Sequence, residues 1–529
     1  MFKVLVSDPL SEWGLQKLIE AQDVQVDQKI GLSEQELIET ISEYDALLVR
    51  SQTEVTAAVI EAATRLKAIG RAGVGVDNID LPAATQKGII VLNAPDGNTI
   101  STAEHSFAMM IALARRIPHA YFSMMQSEWD RKSFIGVELN QKVLGIIGLG
   151  RIGAEIAKRA KAFNMQVVAY DPFLTEERAK NLGVQAATID ELVRQSDFIT
   201  VHTPLTKETR HLISSREFEL MKQGARIINC ARGGIIDERA LLEALQMEKV
   251  AGAALDVFEV EPPINNPLLD HPHVIVTPHL GASTIEAQEN VAFAVSEEIL
   301  HVLRNEPFKN AVNLPSIPLN IREKLEPYFN LSESLGKFVA QTASGGLQEA
   351  RVTYSGELTE FDTSSLSRSV LKGILSHHLG AGVNYVNAPH LAKSRGISFT
   401  EQKSPANRGF TNLITVTLKT NQDENRIAGT MINGYGSRIV KLDEYRIDIQ
   451  PKGHLILIHH HDRPGAIGNV GALLGNNDIN IATMQVGRRN VGGRAIMVLE
   501  IDRQVSAQVL DQLNDLSEII SVREIDLTQ

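Results

Sequence analysis

Three features of the sequence predict an α/β fold with two doubly wound parallel-sheet units, then an α+β segment and a smaller ferredoxin-like unit. From Val4 to about Asn305, short apolar runs alternate with apolar residues at helical spacing, the pattern of repeated βα units. Several of those runs end in polar residues, and open parallel sheets collect ligands at that end of their strands. From His454 onward the order is βαββαβ. These features divide the chain into 1–97 and 98–285 for the two sheet units, 286–318 for a return to the first unit and a linker, 319–450 for the α+β segment and 454–529 for the last unit.

The stretch from Lys142 to Asp171 organises the rest. Residues 142–147 are a short, mostly apolar run that suits a strand buried on both faces. Gly148-Leu149-Gly150-Arg151-Ile152-Gly153 follows, a GxGxxG, and then Ile152, Ile156, Ala160 and Phe163 recur at helical spacing. A second apolar run, 167–170, ends in Asp171. The first glycine permits a tight turn, the second lets the backbone approach a pyrophosphate, and the third lets helix pack on strand. The helix start offers unpaired N–H groups to phosphates. An acid about 20 residues on can accept both ribose hydroxyls and repel a 2′-phosphate, so the motif favours NAD over NADP.

Composition narrows the class. A formal net charge of −12 argues against a general nucleic-acid binder, and requires that arginines be concentrated wherever an anionic substrate binds. There is no apolar run of about 18 residues and no basic, apolar leader, so neither membrane insertion nor secretion is expected. The single cysteine, Cys230, rules out an internal disulfide framework and fits a reducing cytoplasm. No Cys/His spacing resembles a zinc site, so no metal is expected.

In the first unit, strands are expected at 4–6, 46–49, 66–69 and 89–92, and Ser33 with Glu36 forms a capping box. Arg50 and Arg71 stand at strand ends, and the loop from Arg71 through Gly73 to Asp77 can form an anion nest. A lone arginine at a strand end is usually a solvated charge. Ser101 to Glu104 opens a long helix, and Trp129-Asp130-Arg131 lies in a polar loop. Beyond Asp171, strands at 198–201, 226–229, 252–255 and 274–276 end in His202-Thr203-Pro204, Cys230-Ala231-Arg232, Asp256 and Thr277-Pro278-His279. Carboxyl ends of neighbouring parallel strands converge on one crevice. A long helix over 285–305 precedes Pro307, Pro315 and Pro318, and 319–450 carries no chemical motif.

Oxidation of a 2-hydroxy acid held between the two units needs a base for the hydroxyl proton while hydride leaves for a nicotinamide. His279 is the candidate base, Glu261 the acid that orients it, and Arg232 the grip on a substrate carboxylate. A carboxylate on the imidazole stabilises the imidazolium formed during oxidation.

These motifs together resemble the D-isomer-specific 2-hydroxyacid dehydrogenases, and over the full length the long-form phosphoglycerate branch with a C-terminal ACT domain. The resemblance implies catalytic Arg232, Glu261 and His279. It also implies NAD contacts from the Gly148–Gly153 turn, Asp171, His202 to Pro204, Cys230, Ala231 and Asp256. Residues 1–97 and 286–318 become the substrate-binding domain, 98–285 a Rossmann NAD domain, 319–450 an intervening domain and 454–529 an ACT domain. Arg50, Arg71, Gly73 and Arg131 are then expected at the substrate's phosphate and carboxylate, with Arg131 supplied by a neighbouring subunit of a homodimer or homotetramer. The implied reaction is NAD-dependent oxidation of D-3-phosphoglycerate, with L-serine as effector at His460, Asp462 and Asn480. Two alternatives stay open: another reductase of the superfamily, acting on hydroxypyruvate or glyoxylate, and a scaffold that senses NAD without turnover.

Overall fold

The computed structural model describes residues 1–315, 317–406 and 409–528. Its first sheet is parallel and contains β1 (Phe2–Val6), β2 (Val24–Gln28), β3 (Ala46–Val49), β4 (Ala68–Arg71) and β5 (Ile90–Asn93). The order β2-β1-β3-β4-β5 is that of a flavodoxin-like sheet. One face is covered by the helix Ile285–Leu303, whose Val291, Val295 and Ile299 are buried against Val4, Leu48 and Ala68. The first sheet therefore completes its core with chain from nearly 300 residues away.

The sequence reading missed β2 because it is a polar edge strand, VQVDQ, with only Val24 buried. Strand β4 begins two residues later than expected, which makes Arg71 its last residue, in register with Val49 and Asn93. The expected linker also does structural work. Ala311 bridges to Leu92, and the Val312 amide donates to the Val91 carbonyl at 2.7 Å, so the segment lies along the outer edge of β5.

The second sheet holds β6 (Val143–Ile147), β7 (Gln166–Tyr170), β8 (Gln185–Ala186), β9 (Phe198–Val201), β10 (Ala225–Asn229), β11 (Val250–Leu255) and β12 (Val274–Val276). All pairings are parallel, in the order β12-β11-β10-β9-β6-β7-β8, a Rossmann arrangement whose switch point lies between β6 and β9. Register aligns the strand ends: Tyr170 pairs with Ile147, Ile147 with Val201, Val201 with Asn229, Asn229 with Leu255 and Leu255 with Val276. The next residues, Asp171, Gly148, His202, Cys230, Asp256 and Thr277, therefore leave the sheet along one rim. The helix Thr99–Arg115 packs beside the helix Arg151–Ala162. A second helix, Ile117–Met125, follows it; its apolar residues are mostly exposed, so it gave no one-sided periodic signal.

A six-stranded mixed sheet follows, packed under the helices Leu319–Thr342 and Ser364–Leu379. The last unit is a four-stranded antiparallel sheet in the order Ile481–Arg488, Arg494–Ile501, Gly453–His461, Ile519–Leu527, with two helices, as the βαββαβ pattern requires. Its Leu455, Leu457, Ile496 and Ile525 share one core with Leu331, Leu335 and Val416 of the preceding unit. The preceding unit also reaches back: Val386 is buried in the core of the first sheet, and the Asn384 side-chain amide donates to the Gly88 carbonyl at 2.8 Å. No helix of the described residues is long and apolar enough to cross a membrane.

Candidate active site

The dinucleotide turn is built as its glycines require. Gly148 has φ +94°, and any side chain there would strike the His202 carbonyl. A Cβ on Gly153 would strike the Gly148 carbonyl, so the helix Arg151–Ala162 packs directly on the turn. Gly150 faces open space and caps that helix without a side-chain hydrogen bond, leaving its first N–H groups for an anion. Asp171 accepts from the amides of Leu149, at 2.9 Å, and Phe173, at 2.8 Å, which fixes its carboxylate beside the turn. The Arg178 guanidinium donates to the Leu149 carbonyl at 2.8 Å. Arg151 reaches back to Asp96, with 2.5 Å between its Nε and the carboxylate, and Ile152 packs into the core behind the turn. These residues fit a dinucleotide with free ribose hydroxyls.

Along the same rim, burial pushes the His202 imidazole down to about 3, so it is neutral at physiological pH. Its Nε2 lies 2.7 Å from Thr200 Oγ1, while its Nδ1 and the Thr203 hydroxyl are buried without a protein partner. Pro204, one residue on, is exposed. Asn229 is 2% exposed and shapes the next turn, accepting from the Ala231 amide at 3.0 Å and donating to the Arg232 carbonyl at 2.9 Å. Cys230 is buried; burial and the neighbouring Asp256 push its thiol up to about 12.

Asp256 is the centre of the rim. Only 1% exposed, it accepts from Thr277 Oγ1 at 2.6 Å, from the Leu280 amide at 2.7 Å and from the Gly281 amide at 2.9 Å. His105, from the helix Thr99–Arg115, adds its Nε2 at 3.2 Å. Burial alone would raise the carboxyl, yet the hydrogen bonds from His105, Thr277 and Leu280 outweigh it and hold Asp256 below the ordinary value. His105, Cys230 and Asp256 form the one grouping of metal-ligand residue types within ligand reach of each other among the described residues. Both Asp256 oxygens accept hydrogen bonds, and His105 joins the group through Asp256.

His279 and Glu261 meet at 2.8 Å, Nδ1 to Oε2, partly open to the crevice. The Phe258 amide donates to the other Glu261 oxygen at 3.1 Å. Burial raises the Glu261 carboxyl, but these two partners more than offset it and the group lies below its usual value. His279 itself sits at φ +56°, held there by its amide bonds to the Asp256 and Thr277 carbonyls.

The first sheet supplies the facing wall. Arg71 is largely buried with its Nε unpartnered, and burial together with the nearby Arg232 and Arg50 lowers it to about 10. Arg232 crosses from the second unit and meets Asp77 of the Arg71 loop at 3.0 Å. A side chain on Gly73 would take the space of the Arg71 guanidinium. Arg50 is positioned through its backbone: its amide donates to Asp8 at 2.5 Å and its carbonyl accepts from Asn78 at 2.8 Å. Three cations thus gather beside two acids, Asp77, which pairs with Arg232, and the buried Asp8, both of which act on Arg71. Arg131 is not with them; it is exposed, without a hydrogen bond or ion pair among the described residues.

Sequence reasoning read Asn229 as a polar strand end without giving it a role, and missed Asp8, Asn93 and His105. Asp8 and Asn93 are strand-end polar residues and carried the signal that found Arg50 and Arg71. His105 lies mid-helix, where spacing says nothing.

In the last unit, Asp462 accepts from Arg488 at 3.1 Å and from the Gly492 amide at 3.0 Å, and its own amide donates to the Gly493 carbonyl. His460 is 2% exposed with Nε2 unpartnered, whereas Asn480 donates to Asp502 at 2.9 Å. Direct hydrogen bonds therefore do not join the three expected effector residues within one chain.

Comparison with known proteins places this geometry. Residues 107–281 match the family model of the D-isomer specific 2-hydroxyacid dehydrogenase NAD binding domain. Residues 324–443 match the D-3-phosphoglycerate dehydrogenase intervening domain and 454–518 the ACT domain. A D-3-phosphoglycerate dehydrogenase of Bacillus subtilis (strain 168) is 50% identical over 527 residues, covering 100% of both chains. This chain belongs to the D-3-phosphoglycerate dehydrogenase family. One from Methanocaldococcus jannaschii is 48% identical, again over 100% of both chains. The crystal structure of an Aquifex aeolicus D-lactate dehydrogenase, complexed with NAD and lactic acid, is 29% identical with a TM-score of 0.52, covering 59% of this chain and 100% of that one. The chain is an NAD-dependent dehydrogenase.

The Asp256 cluster has a consequence for stability. A carboxyl held low in the folded state stabilises above its unfolded value, and that contribution is lost as pH falls through the folded one. Asp256→Asn is expected to cost about 1–3 kcal/mol at pH 7. Thermal unfolding of both proteins should differ at pH 7 and converge as pH drops below 3.8.

Proposed function

We propose that this enzyme oxidises D-3-phosphoglycerate to 3-phosphohydroxypyruvate, the first step of L-serine biosynthesis. The observation that carries the reading is the gathering of Arg50, Arg71 and Arg232 at the carboxyl ends of two facing sheets. A substrate with both a phosphate and a carboxylate supplies the negative charge that such a cluster lacks. The names of the full-length relatives support the same substrate.

In this reading His279 takes the hydroxyl proton at its free Nε2, since Nδ1 faces Glu261. Glu261 stabilises the imidazolium, and Arg232 orients the substrate carboxylate. NAD, when bound, accepts the hydride from C2. Asp171 selects it by accepting the ribose hydroxyls, and the Gly148–Gly153 turn holds the pyrophosphate. His202 to Pro204 and Ala231 line its path along the rim, and the buried Cys230 and Asp256 support that rim from beneath. The domain division follows: residues 1–97 and 286–318 bind substrate and 98–285 bind NAD.

We assign the working form to a homodimer or homotetramer in the cytoplasm. The helix Ile117–Met125 and the loop after it expose Tyr121 by 60%, Phe122 by 65%, Met125 by 66% and Trp129 by 79%, a surface suited to a second copy. Arg131 lies two residues after Trp129 and would be carried into the neighbour's crevice. L-serine is the proposed effector of the ACT domain, reached through His460, Asp462 and Asn480 at a subunit interface.

The deciding assay is NADH formation from D-3-phosphoglycerate, with D-glycerate and D-lactate in parallel and with or without L-serine. Preference for the phosphorylated acid is expected; activity on the unphosphorylated acids alone would refute the substrate. His279→Ala is expected to lower turnover by a factor on the order of 10² to 10⁴. An unchanged kcat would remove His279 from the mechanism. Asp171→Ala should relax the NAD preference, read as the ratio of kcat/KM for the two cofactors, and an unmoved ratio would reject the ribose assignment.

A further inference from the structure

At the opposite rim of the second sheet, the amino ends of β10, β11 and β12 and the junction between the helices Thr99–Arg115 and Ile117–Met125 line a cavity of about 200 Å³ that is partly open to solvent. Arg226 comes from the start of β10, His273 immediately precedes β12, and Arg116 and His119 come from the helix junction. Leu113 and Ile275 supply apolar wall. Among the described residues that line it, every ionisable side chain is basic and none is a carboxylate.

The basic groups are held in place mainly by a ring face and backbone carbonyls. Arg226 lies over the Phe198 ring, 5.5 Å from its centroid, and donates at 3.4 Å to the Gly224 carbonyl. Asp197 is the acid that acts on it from outside the cavity wall. One Arg116 nitrogen donates to the Ser133 carbonyl at 2.8 Å. His119 Nδ1 is buried and has no partner. Burial, Arg116 and His273 all disfavour its protonation, as expected where cations crowd together without an anion. His271 stands behind His273 with ring centroids 5.7 Å apart.

We propose that this cavity binds a small tetrahedral oxyanion, with Arg226, Arg116, His119 and His273 as its ligands. An unpartnered buried imidazole nitrogen beside two guanidinium groups, in the tautomer that places the proton on it, is satisfied by an acceptor with several oxygens. The volume corresponds to roughly six or seven waters at about 30 Å³ each, too small for a nucleotide and ample for sulfate or phosphate. The site is separate from the crevice, because β10 to β12 run between the two rims. Bound there, the anion would tie the helix Ile117–Met125 to the sheet. The ligand is either free inorganic anion or the phosphoryl end of a larger molecule.

The test uses the full-length protein and sulfate, which does not titrate near neutrality. Calorimetric titration is expected to show one sulfate fewer per chain in His119→Phe/Arg226→Met than in the wild type. Crystals of the wild type soaked in selenate are expected to show anomalous density between Arg226 and His119. Unchanged stoichiometry in a folded double variant would overturn the proposal. If that variant does not fold, absence of density in the wild-type crystals would overturn it alone. Parallel titrations with phosphate and methyl phosphate identify the source: loss of the site's binding on methylation marks a free ion, and retention marks a phosphoryl group on a larger molecule.

Discussion

The site depends on the register of the parallel strands. Because Tyr170, Ile147, Val201, Asn229, Leu255 and Val276 pair across one row, their successors emerge along a single rim although they span more than 100 residues of sequence. A slip of one residue in any strand would turn its side chains to the opposite face. The apolar strand interiors hold that register by burial on both faces, and the polar ends inherit their geometry from it. The chemistry at the rim is thus a by-product of how Val, Ile, Leu and Ala pack beneath it.

Two kinds of electrostatics operate in the crevice. Asp256 is a buried charge fully supplied with donors, and it anchors the turn that carries His279 at positive φ. Arg71, Arg50 and Arg232 are the converse, cations brought together with Asp77 as the carboxylate paired to Arg232. In a chain of net charge −12, that cluster creates a local field of opposite sign to the global one. The first arrangement makes the scaffold rigid, and the second leaves binding energy to be realised with an anion.

Much of this was legible in the sequence. Two parallel sheets, the GxGxxG turn, the βαββαβ unit and the strand-end residues follow from periodicity and from the rule that parallel strands present ligands at their carboxyl ends. The meeting of His279 with Glu261, 18 residues apart and across a turn, was expected from chemistry and is found at 2.8 Å. Other features left no local trace. The polar edge strand β2 lacks a buried face, the helix Ile117–Met125 is apolar mostly on its exposed side, and His105 depends on the packing of one helix against the rim. Asp462 entered only through the family resemblance, and its capture by Arg488 and Gly492 requires a contact between residues about 30 apart.

The route of the chain through the first sheet also sets an order of events during synthesis. Strands β1 to β5 are complete by residue 93, but the helix that covers one of their faces ends at Leu303, and Val386 enters the same core later still. At a ribosomal rate of about 5–20 residues per second, those strands wait on the order of 10–40 s for the helix. The second sheet, continuous in sequence, can close during that interval. The nascent chain therefore carries a half-covered parallel sheet at its leading end while a finished unit forms behind it, and this stage is where it most needs protection from other chains.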